Sequence, residues 1–352
     1  MPSMKVILHI GLPKTGTTFL QSALYHNRGT LAQRGILYPV TGTAATPELH
    51  DGVHVRGQCM SHNWLAMAFL PQRWPEFDAT VQNAMPCLWD ALDAELESSR
   101  AHVAIISSES FCWNLPAEEH LFAIRDRLAH HDVTIVYTER HPHDFITSMY
   151  GELLRGGRGP YSLDDFLREF PHLWDTGFQR ERWSAVFGQD RFVTLDYESL
   201  GGLDMVQRFL AAVLPGHPAT RLPLAAPADA RIYRSLSPRC LRFMEELQAN
   251  QVADHLKRSL AELCASLPET FTRLNDRLVS PEDIDAALAR IGMSLSPDGQ
   301  RPEPDQCDAC IRPETASGRE DSADDLAPLA ADVQRPANSR CPSSTTPNVT
   351  DA

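Results

Sequence analysis

The sequence predicts an α/β fold, a mostly parallel central sheet flanked by helices, and three observations carry that prediction. Short apolar runs rich in β-branched residues recur at Lys5–Ile10, His102–Ser107 and Val133–Thr138. Helical patterns separate them, and strands alternating with helices fold into parallel sheets covered on both faces. The first run leads into a glycine-bearing turn and then a helix, Gly11 to Thr18, which aims backbone N–H groups at an anion.

The remaining elements follow the same rhythm. Arg191–Leu195 is a fourth strand and Gly35–Tyr38 a short fifth. Helices are expected over Thr18–Leu31, Asp78–Ser98, Glu118–Ala129 and Pro142–Leu154, then over Leu163–Phe170, Thr176–Phe187, Ser199–Val213, Pro238–Gln248 and Ile284–Ile291. Gly156-Gly157-Arg158-Gly159-Pro160 signals a loop that could cover a ligand, and Leu214–Ala230, rich in Pro and Ala, reads as an irregular crossing. From Ser294 large apolar residues nearly vanish, and such a segment cannot bury enough surface to offset its ordering entropy of about 1–2 kcal/mol per residue. The expected division is one α/β domain over 1–293 and a disordered tail rich in Pro, Ser and Asp over 294–352.

The turn itself is Gly11-Leu12-Pro13-Lys14-Thr15-Gly16-Thr17-Thr18. A nucleoside-triphosphate loop reads G-x-x-x-x-G-K-[ST]. Gly11 and Gly16 keep that spacing, but Thr17 stands at the lysine position and the lysine has moved into the loop as Lys14. A cation there can still reach an oxygen that bridges two transferred groups. A second stretch adds to it: behind the buried run ending at Thr138 come Arg140, Pro142, Asp144 and Ser148. Pro142 and Asp144 suit the first turn of a helix. Arg140 then stands at a strand's C-terminal end and Ser148 two turns along the helix, where open α/β sheets bind ligands. Arg140 offers a planar fork for phosphate, and Ser148 a hydroxyl donor.

Pro13, Lys14, Thr15, Gly16, Thr17 and Thr18 resemble, position by position, the 5′-phosphosulfate loop of sulfotransferases that use 3′-phosphoadenosine 5′-phosphosulfate (PAPS). The R-x-P-x-D-x-x-x-S run from Arg140 to Ser148 resembles the same family's 3′-phosphate motif, and Tyr197-Glu198-Ser199-Leu200 is a softer match to an aromatic-Glu-Asp-Leu run. The resemblance spans roughly the first 250 residues. It implies a sulfotransferase with the P-loop-like architecture of that family, PAPS as co-substrate and no metal. It also implies a hydroxyl acceptor on a carbohydrate, a lipid-linked molecule or another small molecule. Lys14 would stabilise the leaving bridge oxygen, with Thr17, Thr18 and the loop N–H groups on the 5′-phosphate. Two alternatives stand beside it: a P-loop small-molecule kinase, which wants the missing Gly-Lys-Thr order and a Mg²⁺ carboxylate, and a phosphonucleotide-binding module without turnover.

The base that takes the acceptor's proton is open between Glu109, at the end of the second buried run, and His62, whose His-Asn-Trp-Leu-Ala run resembles a His-x-x-Leu-Ala run of bacterial relatives. His54 and His50, in a Gly/His-rich loop, rank behind them, and Asn27 to Val40 contains no Glu or Asp. The aromatics Trp64, Phe69, Trp74, Phe77 and Trp89 could line an acceptor cavity or pack as helix core.

The totals restrict the rest. A formal charge of −14 argues against a nucleic-acid binder, which needs a basic face, while leaving room for a basic crevice around Lys14, Arg140 and Arg155 or Arg158. No apolar run approaches a membrane span, and the N-terminus reads without a charged-then-apolar leader, so a cytoplasmic protein is expected. Cys59, Cys87, Cys112, Cys240 and Cys264 are dispersed, as reduced thiols are. Cys307 and Cys310 form a single C-x-x-C with no second pair at zinc spacing, so no metal is expected there.

Overall fold

Strand formation is cooperative with burial, and the three central strands of the sheet are largely buried on both sides. The computed structural model describes residues 3–43, 46, 60–69, 83–113, 115, 117–156, 162–169, 175–200, 204–222, 224, 243–244, 246–247, 260 and 281–291. All belong to the unit Met1–Gln300. The expected tail, the Gly157–Pro160 part of the loop signal, most of the Pro238–Gln248 helix, His50, His54, Trp74, Phe77 and Arg158 lie outside the described residues.

Five strands, β1 (Lys5–His9), β2 (Ile36–Leu37), β3 (Val103–Ser107), β4 (Asp132–Glu139) and β5 (Phe192–Asp196), form one parallel sheet in the order β2-β3-β1-β4-β5. Each falls on a run read from the sequence. β1 is central, with His9 level with Ser107 on one side and with Val136 on the other. Alternation sends Val6 and Leu8 into one core and Ile7 into the other. A parallel sheet closed by helices on both faces needs such apolar continuity.

In chain order the helices among the described residues are α1 (Thr17–His26), α2 (Arg28–Ala32), α3 (Asn63–Met67), α4 (Leu88–Ser98), α5 (Ser110–Trp113), α6 (Glu118–Arg127), α7 (Pro142–Gly156), α8 (Leu163–Glu169), α9 (Thr176–Phe187), α10 (Tyr197–Leu200), α11 (Met205–Val213) and α12 (Pro281–Arg290). α1 and α11 cover the Ile7 face through Leu20, Leu24, Val206, Phe209 and Leu210. The Leu8 face is covered by α4, α6, α7 and α9 through Leu92, Ile124, Ile146 and Trp183 among others. Trp64 and Trp89 are buried in this second core with Phe69 against them, and Trp89 Nε1 donates to Leu65 O at 3.0 Å. These three aromatics are helix core.

The helix boundaries differ from expectation in three places, two of them for a local reason. The first helix divides at Asn27, whose side-chain Nδ2 donates to Ala23 O at 2.8 Å and so competes with the backbone ladder. Ahead of α4 the chain tightens into a 3-10 turn at Met85–Cys87, around Pro86. The expected Ser199–Val213 helix divides into α10 and α11. A further difference concerns the cysteines. Cys112 is a free, buried thiol that burial pushes up to about 12. Cys87, expected as reduced, is disulfide-bonded, and its partner lies outside the described residues. Pairing depends on Cα separation in the folded chain, which sequence spacing does not reveal.

Candidate active site

The strand order reverses direction about β1: the chain leaves it toward β2 on one side and later crosses to β4 on the other. In open α/β sheets the crevice outside the C-terminal strand ends at such a reversal, here the ends of β1, β3 and β4, is the usual ligand position. The Gly11–Gly16 loop fills its floor. Ile10 N donates to Val136 O at 2.8 Å and Leu12 N to Thr138 O at 3.0 Å, so the loop begins as a continuation of β1 along β4.

Beyond Leu12 the backbone turns sharply. Lys14 has φ 65° and Gly16 φ 71°, two left-handed residues either side of Thr15. A non-glycine residue held there costs about 1–2 kcal/mol, and alternating hands curl successive N–H groups into a concave anion site. Thr15 closes the curl, its Oγ1 donating to Leu12 O at 2.6 Å. Its buried hydroxyl is thereby engaged by the loop's own backbone. Gly16 gives α1 no side-chain cap, so the first-turn N–H groups, from Thr17 onward, have no intrahelical acceptor. Thr17 is buried and Thr18 exposed.

Gly16 is required twice over. Its φ excludes most side chains, and an added Cβ would come within 3.0 Å of Met205 Sδ and 3.1 Å of Tyr197 Cε2. Gly16→Ala is expected to cost about 1–3 kcal/mol in a urea denaturation. A change below about 0.5 kcal/mol would show that the loop adopts another backbone.

Arg140 joins the loop to β4. The β4–β5 register pairs Glu139 with Asp196, which sets Arg140 beside Tyr197. Its guanidinium lies 5.2 Å from the Tyr197 ring centroid, and Nη1 donates to Lys14 O at 3.0 Å. Nε is buried without a hydrogen-bond partner among the described residues; Glu198 Oε1 is its ion-pair neighbour at 3.7 Å. Burial, then the hydrogen bond with Asp196, lifts the Glu198 carboxyl. An arginine with a donor left over, at the strand end where the loop arrives, suits an incoming phosphate oxygen. Ser148 is half-buried on α7, one turn before Glu152, and Glu152 Oε2 lies 2.8 Å from Lys14 Nζ. This contact sets the Ser148 face of α7 against the loop. The structure therefore brings Lys14, Arg140 and the Ser148 helix to one crevice.

The two candidate bases differ in their surroundings. Glu109, just past β3, is half-buried, and Gln21 Nε2 of α1 donates to its Oε2 at 2.8 Å. The β3 end is steadied by Asn63, whose Oδ1 accepts from Ser108 Oγ at 2.5 Å and Ser110 Oγ at 3.0 Å. His62 is fully buried, and burial depresses it to about 4. Its Nδ1 accepts from Ser107 N at 3.0 Å and its Nε2 donates to Pro39 O at 3.0 Å. Both ring nitrogens are engaged by backbone, and the ring ties the chain before α3 to the ends of β2 and β3.

The sequence reading passed over three residues. His9 lies directly under Gly11, where an added Cβ would stand 2.7 Å from His9 Nε2. The ring spans Ser107 Oγ at 2.8 Å and Thr138 Oγ1 at 2.9 Å, tying β1 to both neighbours, and burial depresses it to about 3. Gln21 continues the chain of contacts, 3.4 Å from Ser107 Oγ. Glu152 is the third. A histidine ending an apolar strand was the available signal for His9; nothing in the spacing marked Gln21 or Glu152. Among the described residues no group of three His, Cys, Asp or Glu is placed to hold a metal ion, and no helix is long and apolar enough to cross a membrane.

Over residues 7–207 the chain matches the family model described as Sulfotransferase family. That span is more than half of the chain and includes the loop, Arg140 and Ser148. The chain belongs to the sulfotransferase family, and is a transferase of sulfuryl groups. Among solved structures it is similar to the sulfotransferase of Alicyclobacillus acidocaldarius, at 18% identity and a TM-score of 0.39, over 78% of this chain and 100% of that one. It is also similar to the sulfotransferase domain from the curacin biosynthetic pathway, at 14% identity and a TM-score of 0.37, over 84% and 99% of the two chains. No curated protein matches it.

Proposed function

We propose that this chain transfers the sulfuryl group of PAPS to a hydroxyl of a carbohydrate, lipid-linked or other small-molecule acceptor. The observation that supports the reading is the hydrogen bond from Arg140 Nη1 to Lys14 O, 3.0 Å, which joins two motifs 126 residues apart. In this reading the loop N–H groups of Lys14–Thr18, with the Thr17 and Thr18 hydroxyls, hold the 5′-phosphate. Arg140 and Ser148 take the 3′-phosphate. The acceptor oxygen attacks sulfur in line with the bond to the 5′-phosphate oxygen. The new S–O bond forms as the bridging bond breaks, and the charge that develops on the leaving phosphate is met by Lys14.

The acceptor's proton goes to Glu109. A carboxylate at the crevice wall, oriented by Gln21, can accept a proton from a hydroxyl within reach. His62 can do so only by surrendering a backbone hydrogen bond inside the core, and a ring depressed to about 4 is a poor base. We therefore assign the base to Glu109 and give His62 the part of a structural tie. The catalytic domain is taken as 1–293.

Incubation with ³⁵S-labelled PAPS and a mixed pool of hydroxyl compounds, followed by mass spectrometry for a gain of one sulfate, tests the reaction. Binding of adenosine 3′,5′-bisphosphate without binding of ATP is expected alongside it. ATP binding with phosphate transfer would return the chain to the kinase reading; nucleotide binding without transfer to any acceptor would leave a binding module.

A further inference from the structure

Lys14 has a partner on the wall opposite its loop. Its Nζ lies 2.8 Å from Glu152 Oε2, on the helix that carries Ser148 one turn earlier. Packing does not demand an acid there, because position 152 is half-buried at the crevice and contributes nothing to the apolar core. A carboxylate at this place works against a polyanionic ligand. It occupies the ammonium that the ligand needs, and its own charge repels phosphate. The two side chains are 25% and 37% exposed, and ion pairs this open to water hold weakly and exchange readily.

We infer that Glu152 is a positioning residue for Lys14. In the empty enzyme its carboxylate stands in for the ligand's phosphate oxygen and keeps the ammonium over the loop. Donor binding takes Lys14 from it, and the carboxylate recaptures the ammonium as the desulfated nucleotide leaves. Affinity for the nucleotide is thereby held below what the cradle alone would give, which favours product release. The inference rests on the PAPS reading above. It adds that the helix carrying the 3′-phosphate serine also carries the competitor for the loop lysine, so both ends of the nucleotide are sensed by one face of α7.

Calorimetric titration with adenosine 3′,5′-bisphosphate tests it in wild type, Glu152→Gln, Glu152→Ala, Lys14→Met and the Lys14→Met/Glu152→Gln double variant. Both Glu152 variants should bind about 3- to 10-fold more tightly than wild type at low salt, with a smaller gain at high salt. The gain should largely vanish in the Lys14→Met background, because the two residues act as a pair. A purely structural acid would give equal or weaker binding on removal. Unchanged or weaker binding by whichever Glu152 variants fold would overturn the inference, as would an equal gain with and without Lys14. Absence of binding by the wild type would overturn the donor reading itself and this inference with it.

Discussion

Lys14→Met is expected to lower turnover by about 10²- to 10³-fold while leaving the protein folded. Removing one preorganised charge aimed at a developing oxyanion typically costs that much, and the effect belongs to the transition state. Methionine keeps the unbranched stem, so the left-handed backbone at φ 65° is no more strained than with lysine. The ion pair lost to Glu152 is partly exposed and worth at most about 1 kcal/mol, so the melting temperature should move by only a few degrees. Single-turnover rates with PAPS at saturating acceptor, set beside nucleotide affinity, separate the two effects. The rate should collapse while affinity changes far less. Turnover within tenfold of wild type would remove Lys14 from the leaving oxygen. Arg140 would then be the remaining cation of the site among the described residues.

Acid should unfold this protein through two histidines. His9 and His62 are fully buried and neutral, depressed by burial to about 3 and about 4 from an ordinary 6.5. Below 6.5 the unfolded chain binds protons that the folded chain refuses, so the balance moves toward unfolding as pH falls. The stability both rings contribute is complete above 6.5 and drains away between 6.5 and their folded values. At 1.36 kcal/mol per pH unit, each costs about 2 kcal/mol by pH 5, together about 4 kcal/mol. Against a total of about 5–15 kcal/mol for a typical domain that is a large share. Denaturant titrations at pH 7.5 and pH 5 measure it, and a His9→Gln/His62→Gln variant, less stable at neutral pH, should show a much flatter profile. Equal pH dependence in wild type and variant would mean that the rings already protonate in the folded state.

The two histidines also mark where reading the chain succeeds and where it stops. The loop and the Arg140–Ser148 run were legible because each is a contiguous stretch whose residue types answer to local geometry. Glycine suits a left-handed turn, proline a helix start, and β-branched residues a buried strand. His62 was legible as a chemically able residue but not as a used one. Its partners, Pro39 O and the Ser107 backbone, are 23 and 45 residues away, and backbone partners leave no trace in residue spacing. Glu109 stood equal to His62 on sequence; the difference came from Gln21, 88 residues off, reaching its carboxylate. Asn27 and Pro86 broke helices that periodicity alone had carried through, because one side-chain hydrogen bond or one missing N–H outweighs the small per-residue preference for continuing a helix.

By itself the sequence determined the strand and helix types, the parallel sheet, and the glycine- and lysine-bearing turn between the first strand and the first helix, because short-range sterics and apolar periodicity dictate these. Only the tertiary structure decided that Arg140 holds the Lys14 carbonyl, that Glu152 meets the Lys14 ammonium, that His9 lies sealed beneath Gly11, and that Cys87 is bonded. Those are contacts between distant segments, and parallel strands return to one another only after long crossovers whose register is set by the packing of the whole sheet.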